Sequence, residues 1–480
     1  MKLTIPLLIS FVVVAQGCGH KNKSKRKLEP EPPISGPVVP DPGLKLTQLP
    51  LLEGARISVM TGDVLPPAQA SHSAGRYEDH SRLLVSEFGT DIERASNDIY
   101  VYDLAAEKWS HLANPASPIT FDSPAALLTK ESLFVLGGFD SDMCGTRSNG
   151  QIHDLSDKSW KKIAVEGEPS ARGQADIHSY QKKFLVFGGY RQLGSGCDTT
   201  DENAGMKSLV DGGIYDPASN SWALIPAIPL TADEKNARSL VVTSTLSGDI
   251  LYVLLSDHIR AQIDNLWMFD LLKMEWSQRP VKMNQSLDGS FHALLKTPKG
   301  LLVWQNSWAK PNSPSRYLYE PPMLTYFEGF VEQKSVEFRY RGSDAFIFPE
   351  AELPGEKYLV SMSKEYTSPR TSYGIASLQD MEVKRLEKID GETVTWKYAG
   401  AFLMGYFKDR NSKVGLVAYD LKDGRYLRLP DTSLKYRTFS SWQYDNGKFV
   451  LWGGFNPTES RNPREWDYPG DGVVIELPAS

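Results

Sequence analysis

Tyr215–Trp222 reads YDPASNSW: an aromatic residue, an aspartate, and a second aromatic six positions after the aspartate. The pattern returns as YDLAAEKW (Tyr102–Trp109), HDLSDKSW (His153–Trp160), FDLLKMEW (Phe269–Trp276) and YDLKDGRY (Tyr419–Tyr426). His153 replaces the first aromatic once, and Tyr426 replaces the tryptophan once. A fixed spacing that recurs at roughly 50-residue intervals marks a repeat protein. Each copy reads as a tight β-hairpin. One strand ends on the first aromatic, and the aspartate holds the turn by accepting backbone N–H groups two residues on. A second strand begins at the tryptophan.

Working upstream, an apolar run precedes each hairpin. Three runs end in a glycine pair: LFVLGG (Leu133–Gly138), FLVFGG (Phe184–Gly189) and FVLWGG (Phe449–Gly454). Degenerate versions are LLVSEFG (Leu83–Gly89), ILYVLL (Ile250–Leu255), LLVWQN (Leu301–Asn306), YLVSMS (Tyr358–Ser363) and FLMGYF (Phe402–Phe407). The runs are continuous rather than alternating, as expected of strands covered on both faces. A strand before each run and a hairpin after it make four strands per unit. The stretch 283–392 has neither a glycine pair nor the hairpin motif, and its two units are placed by apolar runs alone. Val473–Ser480 (VVIELPAS) supplies a third strand but no fourth, and Leu44–Pro50 (LKLTQLP) reads as the orphan that completes this last unit.

The glycine pair after an apolar strand, followed by the aromatic-to-tryptophan spacing, resembles the kelch-repeat β-propeller family over about residues 44–478. The resemblance is strongest in the second and third units. It implies an all-β propeller of four-stranded blades, eight by strand count with seven as the alternative. An N-terminal strand completes the C-terminal blade and closes the ring.

Residues 3–17 form one apolar stretch, short of the ~20 residues that span a bilayer. The stretch ends in AQGC (Ala15–Cys18), which resembles a bacterial lipoprotein signal with Cys18 as the lipidated residue. Gln16 and the basic run Lys21–Lys27 depart from that pattern. Three segments are therefore expected: a signal over 1–18, a basic then proline-rich tether over 19–43, and the propeller over 44–480. The implied location is the bacterial cell envelope, outside the cytoplasm and held by lipid, with the outer membrane favoured. Six basic residues and no acid occupy residues 1–28, so the rest of the chain carries a formal charge of −12. An acidic propeller without a basic stripe argues against nucleic acid as partner.

Cys144 and Cys197 each follow a glycine pair, in the same loop type of adjacent units, and are expected to form a disulfide. Arg172, Arg238 and Arg437 each lie sixteen residues before Gly188, Leu254 and Gly453. That register places them at the start of inner strands, at the channel rim. In kelch domains that resemble this chain, arginines there receive acidic ligands, and a planar guanidinium suits carboxylates. The competing reading is an arginine that pairs only with a neighbouring loop acid. His72, Asp122 and His292 are rim neighbours by the same register. Trp109, Trp160, Trp222 and Trp276 share one repeat position and are read as packing residues.

No GxSxG or HExxH occurs, and eight scattered histidines offer no metal-ligand spacing. No metal and no cofactor are expected. The leading functional expectation is a monomeric, lipid-anchored binding module for an unidentified envelope protein or glycan, engaged at one channel mouth. The alternative is a carbohydrate-active enzyme of the sialic acid mutarotase type, with Asp122, His72 or His292 as the base. Function rests here on fold-level analogy.

Overall fold

A computed structural model describes most of residues 44–478. Outside the described residues lie 1–43, 67–74, 87–98, 113–123, 140–144, 194–204, 232–239, 258–264, 281–289, 309–318, 338–345, 364–371, 409–413, 435–440, 454–469 and a few shorter stretches. The chain forms eight blades around a ring. Blade 3 shows the plan: Asp176–Tyr180, Lys183–Phe187, Gly212–Asp216 and Ser221–Ile225 pair antiparallel in that order from channel to perimeter. Blades 2, 4, 5, 6 and 7 start at Ala125, Leu240, Ser290, Phe346 and Glu392 and repeat that order. Blade 1 has three strands, Arg82–Ser86, Ile99–Asp103 and Lys108–Leu112. The strand before them in the chain, Gly75–Tyr77, pairs in parallel with Ala125–Leu128 of blade 2.

The continuous apolar runs have a direct cause. Eight core clusters fill the eight interfaces between blades. Leu133 and Val135 join the cluster shared with blade 1, while Phe134 and Leu136 join the cluster shared with blade 3. Leu251, Val253 and Leu255 face blade 3, while Tyr252 and Leu254 face blade 5. Successive side chains of a strand point to opposite faces, and here both faces are core.

The repeated aspartate does what the sequence implies. Asp154, Asp216, Asp270 and Asp420 each accept the backbone N–H two residues on, and Asp103 accepts that of Ala106. Accepted hydrogen bonds hold the carboxyls of Asp154, Asp216 and Asp270 below their usual range. In every copy the residue four after the aspartate has positive φ: Glu107, Lys158, Asn220, Met274 and Gly424. A side chain there costs about 1–2 kcal/mol. Lys158 is exposed, so Lys158→Gly is expected to stabilise the protein by about 1 kcal/mol, read as a rise in the urea midpoint.

The motif tryptophans pack and also tie blades together. Trp222 Nε1 donates to Ala164 O at 2.8 Å and Trp276 Nε1 donates to Pro226 O at 2.8 Å. Each acceptor lies four residues after the tryptophan of the preceding blade. Tyr426, in the same position of blade 7, accepts the N–H of Glu387 at 2.6 Å. The latch survives the change of residue, with donor and acceptor exchanged.

His153 pays for its substitution of the first aromatic. It is 1% exposed and sits edge-on to Trp160 at the interface of blades 1 and 2. Neither ring nitrogen has a hydrogen-bond partner among the described residues. Burial pushes its pKa down, partly offset by Asp154 and Asp157. A histidine whose folded pKa lies below its unfolded value of ~6.5 contributes fully above that pH and costs stability as pH falls through it. His153→Phe, the residue type at Phe269, should add about 1–3 kcal/mol at pH 7. Urea midpoints at pH 8 and pH 5 should then differ less in the variant than in the parent chain.

Ring closure follows the expected principle with a different strand. Arg56–Val59 pairs antiparallel with Gly472–Glu476 and is the fourth strand of blade 8, beyond Lys448–Trp452 and Ser441–Asp445. Leu44–Pro50, expected there, instead runs along blade 7. It forms a short 3₁₀ turn at Leu46–Gln48, touches Ile389 through Leu44, and precedes the Leu51 bridge to Arg428. Leu44, Leu46 and Leu49 pack on the interface of blades 6 and 7. Their apolar spacing reads equally well as a strand or as a latch, and the closing position is taken by Arg56–Val59.

Candidate functional site

The two ends of the ring differ. At one end, strands join through turns of two to five residues. At the other, the second and third strands of each blade are separated by five to 24 residues, and the blade-to-blade links leave from the same end. Fixed blades carrying variable connections are the usual arrangement for a binding face. The glycine pairs root these longer connections. Gly137 and Gly138 have φ of 64° and 114°, and Gly188 and Gly189 have 68° and 86°. A Cβ on Gly137 would lie 2.1 Å from the carbonyl oxygen of Arg172.

Arg172 is the centre of this framework. It lies in the link between blades 2 and 3 and is 1% exposed. Nε donates to Ser170 O, Nη1 to Gly188 O and Asp211 O, and Nη2 to Ser170 Oγ and Asp211 Oδ1, the last at 2.6 Å. All five N–H donors are therefore used. Its own carbonyl accepts from Gly138 N. Burial pulls its pKa down and the Asp211 carboxylate opposes that. The geometry of Arg172 is that of the competing reading, an arginine paired with a loop acid, with each guanidinium N–H already donated within the protein. Its sixteen-residue distance from Gly188 is the distance to the carbonyl it supports.

Arg238, Arg437, His72, Asp122, Cys144 and Cys197 lie outside the described residues, as does Cys18. His292 lies in the inner strand of blade 5, its backbone opposite Gln305. The connection Tyr190–Gly212 begins and ends as an antiparallel ribbon of Tyr190–Leu193 with Gly205–Ser208. Ser208 Oγ donates to Leu240 O, docking the ribbon on blade 4.

One polar cluster was missed by sequence reasoning. On the inner strands of blades 3 and 4, Ser244 Oγ donates to Asp176 Oδ2 at 2.8 Å and His178 Nε2 lies 3.0 Å from the same Oγ. The Ser244 N–H also donates to Asp176, at 2.7 Å. The serine proton is committed to the carboxylate, so His178 meets Oγ as a donor. That is the wrong polarity for general-base activation of a nucleophile, and the cluster serves as a bridge between blades. Its signal was the alternation Asp176, His178, Tyr180 along one strand, with no spacing to Ser244 that a motif could encode. Among the described residues no group of three or more His, Cys, Asp or Glu side chains is placed to hold a metal.

Comparison with known proteins agrees with this architecture. Residues 71–303 match the family described as the KLHDC2/KLHL20/DRC7 Kelch-repeats domain. The chain is 27% identical over 185 residues to the Kelch-like protein terF of Aspergillus terreus, covering 36% of this chain and 37% of that one. It is 27% identical over 143 residues to an F-box/kelch-repeat protein of Arabidopsis thaliana, covering 30% and 32%. The chain thus spans about a third of the length of these relatives. With its eight blades and its glycine-pair and tryptophan register, it has the fold of a kelch-type β-propeller, and the family match covers residues 71–303 of it.

Proposed function

We propose that this propeller is a binding module for a protein or glycan of the cell envelope, and that the loop-bearing end of the ring is its ligand face. The asymmetry between the two ends carries this reading: turns of two to five residues at one, connections of up to 24 at the other. Arg172 supports it indirectly, because it fixes the roots of the blade 2 and blade 3 connections and so presents them from a rigid frame. Acylation of Cys18 would hold the ring at a membrane surface on the tether 19–43.

The test replaces residues 195–203 with a short Gly/Ser linker, leaving the ribbon strands, and compares crosslinked partners captured from intact envelopes. Loss of one specific partner, with unchanged thermal stability, supports the loop face. An unchanged partner set overturns it. Cys18→Ala, followed by fatty-acid labelling and membrane fractionation, tests the anchor on its own.

A further inference from the structure

A cavity of about 670 Å³ opens at the opposite, short-turn end, between blades 2 and 3. Its size falls within the ~300–1,000 Å³ of typical ligand sites. Ile152, Phe184 and Tyr215, all buried, form its floor. Lys130 enters from the inner hairpin of blade 2, Lys161 from the outer strand of blade 2, and Lys182 with Lys183 from the inner hairpin of blade 3. Two carboxylates share the lining, Glu131 and Asp154. Asp154 already accepts hydrogen bonds from Ser156 and Asp157. Lys183 pairs with Asp216 at 2.9 Å. Four lysines thus face three carboxylates, Asp216 included, a small positive surplus on a chain whose formal net charge is −6.

A second observation concerns the turn that carries Lys182. Tyr180 pairs with Lys183, so Gln181 and Lys182 alone make the loop, with φ of 50° and 66°. Two positive φ values favour Asn-Gly, and blade 8 has that pair at Asn446–Gly447 in the equivalent turn. Blade 3 instead holds two long side chains in the strained conformation. Backbone strain kept at a ligand groove points to a use for the side chain it carries.

We propose that this groove docks an acidic peptide segment of a protein partner. The lysines come from three separate segments of two blades. An ammonium is a point charge without the planar fork of arginine. Both features suit successive carboxylates on an extended chain better than a single bound anion. The proposal stands independently of the loop-face reading.

Fluorescence anisotropy of the purified protein with a labelled Glu-rich peptide tests it, with the Gln-for-Glu peptide as comparison. Binding of the acidic peptide alone is expected, weakening with salt. The double reversal K130E/K182E should weaken it about tenfold or more, while K422E on the same end of blade 7 leaves it unchanged. The turn variant Q181N/K182G should move two readouts in opposite directions: a Tm about 2 °C higher and weaker peptide binding. Equal binding of both peptides, full binding by K130E/K182E, or equal loss in K422E would each overturn the proposal.

Discussion

Arg172→Met is expected to destabilise the protein by about 3–5 kcal/mol, the range for losing one partner of a buried ion pair. The methionine fills much of the same space, so the loss is chiefly polar. The carbonyls of Ser170 and Gly188 lose the guanidinium donors, while Asp211 O keeps the N–H of Gly188, and each unsatisfied buried acceptor costs about 1–3 kcal/mol. Asp211 keeps part of its hydration because its side chain is 36% exposed, which limits its share. Arg172→Lys retains the charge but offers three donors from one nitrogen, and should recover less than half of the loss. Urea denaturation followed by tryptophan fluorescence reads both. A ligand-contact arginine would behave in the opposite way, losing binding and leaving the unfolding midpoint where it was. A midpoint shift worth less than about 1 kcal/mol for Arg172→Met would therefore restore Arg172 to the ligand face.

The contrast shows what the sequence could and could not disclose. The five aspartates, the tryptophans and the apolar runs were legible because each answers to a local rule: an Asx turn, a repeat position, a strand buried on both faces. The sixteen-residue register of Arg172 was legible too, but not its meaning. A guanidinium at that place can face the channel or turn inward, and the choice depends on Asp211, 39 residues away. The lysine-lined groove was invisible for a related reason. Lys130, Lys161 and Lys182 belong to different hairpins, and only the packing of blade 2 on blade 3 brings them to one cavity. The strained Gln181–Lys182 turn was likewise silent, since nothing in those two letters announces positive φ.

The ring closes with an N-terminal strand as expected, but the strand is Arg56–Val59 rather than Leu44–Pro50, and this supports a prediction of comparable size. Chains beginning at Leu44, Glu53 and Thr61 should fall into three classes. The first keeps every described contact and should melt with the full-length chain. The second lacks the latch, losing Leu52, which is 6% exposed, together with Leu44, Leu46 and Leu49 on the blade 6–7 interface. It also loses the bonds of Leu52 N to Arg428 O and of Arg428 N to Pro50 O. At about 1.5 kcal/mol or more per fully buried apolar side chain, and less for half-buried ones, that removal should cost about 3–5 kcal/mol. The third chain also loses Arg56–Val59 and Met60, which is 4% exposed against blades 8 and 1. Blade 8 is left with Gly472–Glu476 as a bare edge, open to pairing with other chains. The combined loss approaches the ~5–15 kcal/mol that holds an average domain together, so this chain should be recovered as aggregate. Adding a synthetic peptide of residues 53–62 during refolding should restore soluble protein, because Arg56–Val59 joins blade 8 through antiparallel pairing with Gly472–Glu476. Had Leu44–Pro50 been the closing strand, the chain from Glu53 would already behave as the open ring, and the step between Glu53 and Thr61 would vanish.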